Sequence, residues 1–184
     1  MADNKEIIKC PACGCEMEKV YVPDAGIYVD ICLNGCGGIY FDNRELEKVD
    51  EKQEGISAIL DAINNKNFKY VDTTEKRICP VCHTPMVKHF MSAKKEVEID
   101  DCYKCGGKFL DNGELQKIRA QYENNAERVK DLRQTIDNNF TQLYQEFLND
   151  NYDDAELLAD KEPDLMSYER KSAIMNFIGK IVNR

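Results

Sequence analysis

The sequence predicts a small α+β protein: two antiparallel β modules, each pinned by four cysteines and followed by a helix, and a C-terminal region that forms a long helix or a helical hairpin. Three observations carry that prediction. Eight of the nine cysteines fall into four close pairs. The pairs recur, with the residues around them, 69 positions further along the chain, or 70 for Cys32 and Cys102. Apolar residues alternate between the pairs, as strands do, and shift to helical spacing after each second pair.

Composition explains why the cysteines matter. Charged residues make up 32% of the 184 positions and the hydrophobic class 42%, with no tryptophan, which suits solvated helices better than a large core. A module of about 35–40 residues cannot fold on apolar burial alone; it needs disulfides or a metal. Nine cysteines paired as disulfides would leave one thiol over. The opening residues, MADNKEIIKCPACG, lack the apolar core of a secretory signal, and no apolar run approaches the ~20 residues of a membrane span. The expectation is therefore a reducing, cytoplasmic setting, where closely spaced cysteines act as metal ligands.

The first module, 1–42, runs from Cys10-Pro-Ala-Cys13 to Cys32 and Cys36, with strand-like Glu18–Val22 and Gly26–Ile31 between. A helix and polar linker, 43–75, follow from Leu46, Val49, Ile56, Ile59, Leu60 and Ile63 at helical spacing, with Gly55 as an interruption. The second module, 76–111, repeats the first: Cys79-Pro-Val-Cys82, strand-like Val87–Met91 and Glu96–Asp100, then Cys102 and Cys105. Cys36-Gly-Gly-Ile-Tyr-Phe-Asp-Asn-Arg-Glu-Leu recurs as Cys105-Gly-Gly-Lys-Phe-Leu-Asp-Asn-Gly-Glu-Leu. The spacings, C-x2-C-x18-C-x3-C and C-x2-C-x19-C-x2-C, are those of structural tetrahedral zinc. Cys10, Cys13, Cys32 and Cys36 are the candidate ligands of one Zn²⁺, and Cys79, Cys82, Cys102 and Cys105 those of a second. The formal charge of −9 counts cysteine as neutral; two four-thiolate zinc sites at −2 each take it to about −13.

The last region, 112–184, carries Leu115, Ile118, Tyr122, Val129, Leu132, Ile136, Leu143 and Phe147 on a heptad-like course, with Asn125 and Asn139 on or near the seam. An acidic connector, Asp150 to Asp164, leads to a second apolar face of Leu165, Ile174, Phe177, Ile178, Ile181 and Val182. The seam is covered either by folding back as a helical hairpin or by a second chain in a coiled-coil homodimer. Too few cations lie on the last helix to make it a membrane-surface element.

The pattern C-P-x-C, an apolar hairpin, then C-x-x-C-G-G-x-x-x-D-x-G-E-L resembles the bacterial "transcription factor zinc-finger" family, which is similar to the zinc ribbon of general transcription factor IIB. In the second module the match is full, from Cys79 and Cys82 through Cys102, Cys105, Gly106, Gly107 and Asp111 to Gly113, Glu114 and Leu115. The first module differs in the extra residue before Cys36 and in Arg44, where the family prefers glycine. The resemblance implies two tandem zinc ribbons, and by analogy a transcription-related role with RNA polymerase as partner.

Four closed cysteine ligands leave a zinc ion no open position, so hydrolytic chemistry is not expected, and no phosphate loop or nucleophile–base motif is present. Asp42 with Glu45, and Asp111 with Glu114, read as capping boxes rather than as acid–base pairs. Cys15 is an unpaired thiol beside the first knuckle; His83 and His89 read as surface residues. Lys88, Lys94, Lys95, Lys104 and Lys108 make the second ribbon cationic, with Lys94 and Lys95 at its hairpin tip, and are the candidate partner-binding residues. The expected function is that of a non-enzymatic, zinc-binding adaptor for a macromolecular protein partner. The alternatives are direct nucleic-acid binding through the second ribbon, against which the acidic total counts, and a zinc-thiolate redox switch using Cys15.

Overall fold

The computed structural model describes residues 7–150, and of 147–150 the backbone alone. The predicted acidic connector and the amphipathic helix after it lie outside the described residues. Strands β1 (Glu18–Val22), β2 (Ile27–Ile31) and β3 (Ile39–Phe41) make the first ribbon, and a 3-10 turn at Leu46–Lys48 and helix α1 (Ser57–Ile63) follow. Strands β4 (Val87–Phe90), β5 (Glu98–Asp101) and β6 (Lys108–Leu110) make the second, and helices α2 (Glu114–Gln121) and α3 (Asn125–Asp150) follow.

The two ribbons are not separate sheets. They join through β3 and β6 into one antiparallel sheet of order β1-β2-β3-β6-β5-β4. At the joint Ile39 faces Leu110, Tyr40 faces Phe109 and Phe41 faces Lys108. Tyr40 and Phe109 are equivalent in the duplication, so this register is the one that a local twofold axis through that pair imposes. Both three-residue strands are thereby inner strands, and the free edges of the sheet fall on β1 and β4.

Strand alternation then sorts side chains onto two faces. Ile39, Phe41 and Leu110 enter a core with Val29, Ile31 and Ile99, roofed by Leu46, Val49, Ile59, Leu115 and Ile118. Tyr40 and Phe109 turn the other way, into a cluster containing Cys10, Cys32, Cys36, Cys79 and Cys102. One core therefore serves both ribbons, drawing its sheet face from both halves and its roof from the segments after each.

The helical segments depart from the sequence expectation in two places. The 46–64 run is a 3-10 turn and a separate short helix, because Asp50 and Gly55 are poor helix formers and the guanidinium of Arg119 binds the carbonyls of Val49, Lys52 and Glu54. The heptad-like course that begins at Leu115 does not run as one unbroken helix: it breaks at Tyr122, which is extended and buried. Asn124 then restarts it: its side-chain oxygen accepts from Glu127 N–H at 3.1 Å, and Glu127 accepts from Glu123 N–H at 2.8 Å, closely following a capping box. Val129, Leu132, Ile136 and Leu143, the expected seam of α3, are exposed. No described helix is long and apolar enough to cross a membrane.

Candidate metal centres

Each centre is assembled from two knuckles at the ends of a ribbon's strands. In the first knuckles Gly14 N–H bonds Cys10 C=O at 2.9 Å and His83 N–H bonds Cys79 C=O at 3.0 Å. Gly14 and His83 are equivalent in the repeat, and both hold positive φ, at 75° and 57°. The second knuckles close through Gly37 and Gly106, whose N–H groups bond Cys32 and Cys102 C=O at 3.0 and 2.7 Å.

The eight predicted ligands converge as two clusters, Cys10, Cys13, Cys32 and Cys36 in one and Cys79, Cys82, Cys102 and Cys105 in the other, with the sulfurs of each within 4.8 Å of one another. The closest contacts are 3.4 Å for Cys10–Cys36, 3.3 Å for Cys13–Cys32, 3.5 Å for Cys79–Cys105 and 3.3 Å for Cys82–Cys102. These are far beyond a disulfide bond. Zinc–sulfur bonds of about 2.3 Å would place tetrahedral sulfurs about 3.8 Å apart, so each cluster fits one ion with a slight opening. The thiols already share protons unequally. Hydrogen bonds to Cys32 and Cys36 push Cys10 far up, while those from Cys10 and Cys32 draw Cys36 down to about 4. Burial pushes Cys105 up to about 12.

The surroundings of the two centres differ. Tyr40 of the first ribbon reaches across the joint to the second centre, with its hydroxyl 3.5 Å from Cys79 Sγ and 3.7 Å from Cys105 Sγ. Burial pushes that hydroxyl's pKa far up, so it stays protonated and donates to thiolate sulfur. The space for it exists because residue 107 is glycine; a Cβ there would lie 1.8 Å from the hydroxyl oxygen. Phe109 makes the reciprocal reach onto Gly38, where a Cβ would lie 2.3 Å from the ring tip, but it brings no hydroxyl to the first centre. Thr84 Oγ1 lies 3.4 Å from Cys82 Sγ and draws the pKa of that thiol down to about 6. The equivalent residue beside Cys13 is Cys15, whose thiol is pushed up by its hydrogen bond with Cys13.

The extra residue before Cys36 is accommodated by Gly35. A Cβ on it would press on Cys13 and Cys32 Sγ at 2.6 Å and on Cys15 Sγ at 3.0 Å. The 64–75 linker also contributes: Phe68 packs over Gly37, and Lys69 N–H bonds Gly35 C=O at 2.9 Å. Sequence reasoning missed Tyr40, Phe109, Gly35 and Phe68; only the doubled Gly-Gly pairs hinted that something must approach closely there.

The two carboxylate pairs act on the main chain. Glu45 accepts from Asp42 N–H at 2.9 Å and Glu114 from Asp111 N–H at 2.7 Å. Burial raises Glu114 to about 7. Of the candidate partner-binding lysines, Lys88 pairs with buried Asp100 at 2.8 Å and Lys108 with Asp101 at 2.7 Å. Lys94 bonds Gln121 C=O and sits 4.2 Å over the Tyr122 ring. Lys95 and Lys104 are exposed and have no ion-pair partner among the described residues. Arg77 is buried, 3.6 Å from Asp111 and 2.6 Å from Asp72 C=O, and adds nothing to the surface charge.

No curated protein and no solved structure matches the chain. A family model described as "Transcription factor zinc-finger" matches residues 9–52 and again 78–121. Two tandem segments, each with its four-cysteine zinc site, thus belong to the transcription factor zinc-finger family.

Proposed function

We propose that the protein is a non-enzymatic adaptor whose joined zinc ribbons present one surface to a macromolecular partner in transcription, with RNA polymerase the leading partner. The observation that carries this reading is the shared sheet. Pairing β3 with β6 and sharing one core holds two ribbons as a single body, which is what a bidentate docking surface requires and a catalytic pocket does not. The donor chemistry supports it. Four cysteine sulfurs complete a tetrahedral zinc ion, leaving no ligand position for water or substrate. The family supplies the transcription setting by analogy.

The pairing of Lys88 and Lys108 with aspartates weighs against direct nucleic-acid binding, because such cations are already neutralised. Lys95 and Lys104, both exposed and without an ion-pair partner among the described residues, are its proposed contacts. The test is capture by the zinc-loaded, tagged chain from nuclease-treated extract. Recovery of polymerase subunits, reduced for Lys95→Glu with Lys104→Glu, is expected. Salt-sensitive recovery of nucleic acid alone, before nuclease, would overturn the reading.

A further inference from the structure

The segments 7–11 and 76–80, equivalent in the duplication, line a single groove of about 520 Å³ beside the two first knuckles. Its apolar lining includes Ile7, 72% exposed, Ile78, 49% exposed, and half-buried Val81. Its polar side chains are Lys9, Lys76 and His83, all exposed. No carboxylate of the described residues lines it, although acids outnumber lysine and arginine 34 to 25 in the chain. On so acidic a molecule, a groove with only basic polar side chains is complementary to an anionic partner.

The main chain of the lining adds a second feature. Lys9 bridges Glu16, and Ile78 bridges Pro85, as antiparallel pairs. The hydrogen bonds of these bridges belong to the flanking residues: Cys10 to Cys15 and Met17 to Ile8 in one, Cys79 to Thr84 and Met86 to Arg77 in the other. The N–H and C=O of Lys9 and Ile78 therefore point off the outer edge of each segment, with no hydrogen-bond partner among the described residues. Unpaired strand edges beside apolar side chains are what an extended peptide uses when it adds to a sheet. Among the described residues no phenylalanine, tyrosine or tryptophan lines the groove to stack nucleic-acid bases.

We propose that this groove is a docking site for an extended segment of a protein partner that mixes aliphatic and acidic residues. The aliphatic side chains contact Ile7, Ile78 and Val81, the carboxylates face Lys9, Lys76 and His83, and the main chain pairs with Lys9 or Ile78. The inference rests on the adaptor reading and adds a contact surface separate from Lys95 and Lys104.

The test is selection of phage-displayed random dodecapeptides on the zinc-loaded full chain. Enriched peptides should combine Asp or Glu with aliphatic residues. A synthetic representative should bind Lys9→Glu/Lys76→Glu about tenfold more weakly than the unaltered chain, and Ile7→Asp more weakly as well. Lys95→Glu/Lys104→Glu should bind it unchanged. Zinc stoichiometry and circular dichroism of each variant confirm the fold. Absence of enrichment, enriched peptides lacking acids, or equal binding to the Lys9/Lys76 variant would overturn the proposal. So would an oligouridylate probe whose binding, unlike that of the peptides, is lost in that variant. Polymerase capture through Lys95 and Lys104 would survive any of these failures, so the two readings fail separately.

Discussion

The two ribbons have the same ligands, the same strand order and the same glycine pair, yet their zinc centres have different neighbours. The second centre receives a tyrosine hydroxyl from the other ribbon and a threonine hydroxyl from its own knuckle. The first receives a phenyl ring and a cysteine at the equivalent places, and is capped by Phe68 from the linker. Duplication keeps what tetrahedral sulfur geometry demands and releases the groups around it. The difference teaches that metal identity and count follow from the cysteines, whereas the relative hold of the two ions is set by side chains crossing the joint.

Six substitutions would break or sharpen that comparison. The largest effect is expected of Cys102→Ser, which removes most of the folding energy of the second ribbon. Zinc content should fall from two ions to one per chain, and hydrogen-exchange protection should be lost in β3 as well as β6. Two retained ions would contradict the ligand assignment. Next comes Gly107→Ala, whose methyl group would collide with Tyr40. A loss of about 3 kcal/mol in denaturant unfolding is expected, because the ring end is enclosed and cannot give way. Unchanged stability would mean that the joint is loose.

A smaller and more selective change is Tyr40→Phe, which removes one hydrogen-bond donor near Cys79 and Cys105. Zinc should leave the second centre about tenfold faster in a chelator assay, with the first unaffected. The reverse swap, Phe109→Tyr, should slow release from the first centre. Equal effects on both ions would show that the hydroxyl acts on folding and not on the sulfurs. The smallest effect is stabilisation. His83 and Arg44 hold φ of 57° and 67° where the equivalent residues are Gly14 and Gly113. His83→Gly and Arg44→Gly should each raise stability by about 0.5–1 kcal/mol, read from the shift in thermal midpoint. A fall in midpoint would mean that side-chain contacts outweigh the backbone strain.

The ligands were legible because zinc imposes spacing on the chain itself: Cys79-Pro-Val-Cys82 needs no tertiary knowledge to be recognised. The hairpins were legible from alternation, and so was one half of each capping box, the glutamate on the aspartate N–H, from the three-residue interval. The joint between ribbons was not. Ile39–Phe41 and Lys108–Leu110 are three residues each and lie 69 positions apart, so no local pattern announces their pairing. For the same reason the sequence displayed a cationic second ribbon that the fold partly neutralises, since Asp100 and Asp101 meet Lys88 and Lys108 only across strands. The break at Tyr122 did carry a signal, Asn124 followed by Glu127, that the longer apolar periodicity overshadowed.

The pairing of Tyr40 with Phe109 has an evolutionary and a quantitative consequence. A strand that meets its own equivalent antiparallel about a twofold axis is the interface of a homodimer, here drawn within one polypeptide. Two separate copies would assemble only above their dissociation constant and would have to keep identical residues at that position. Fusion makes assembly independent of how scarce the protein is, and lets one copy carry tyrosine while the other carries phenylalanine. A pair of equal halves has thereby become a molecule with a front and a back.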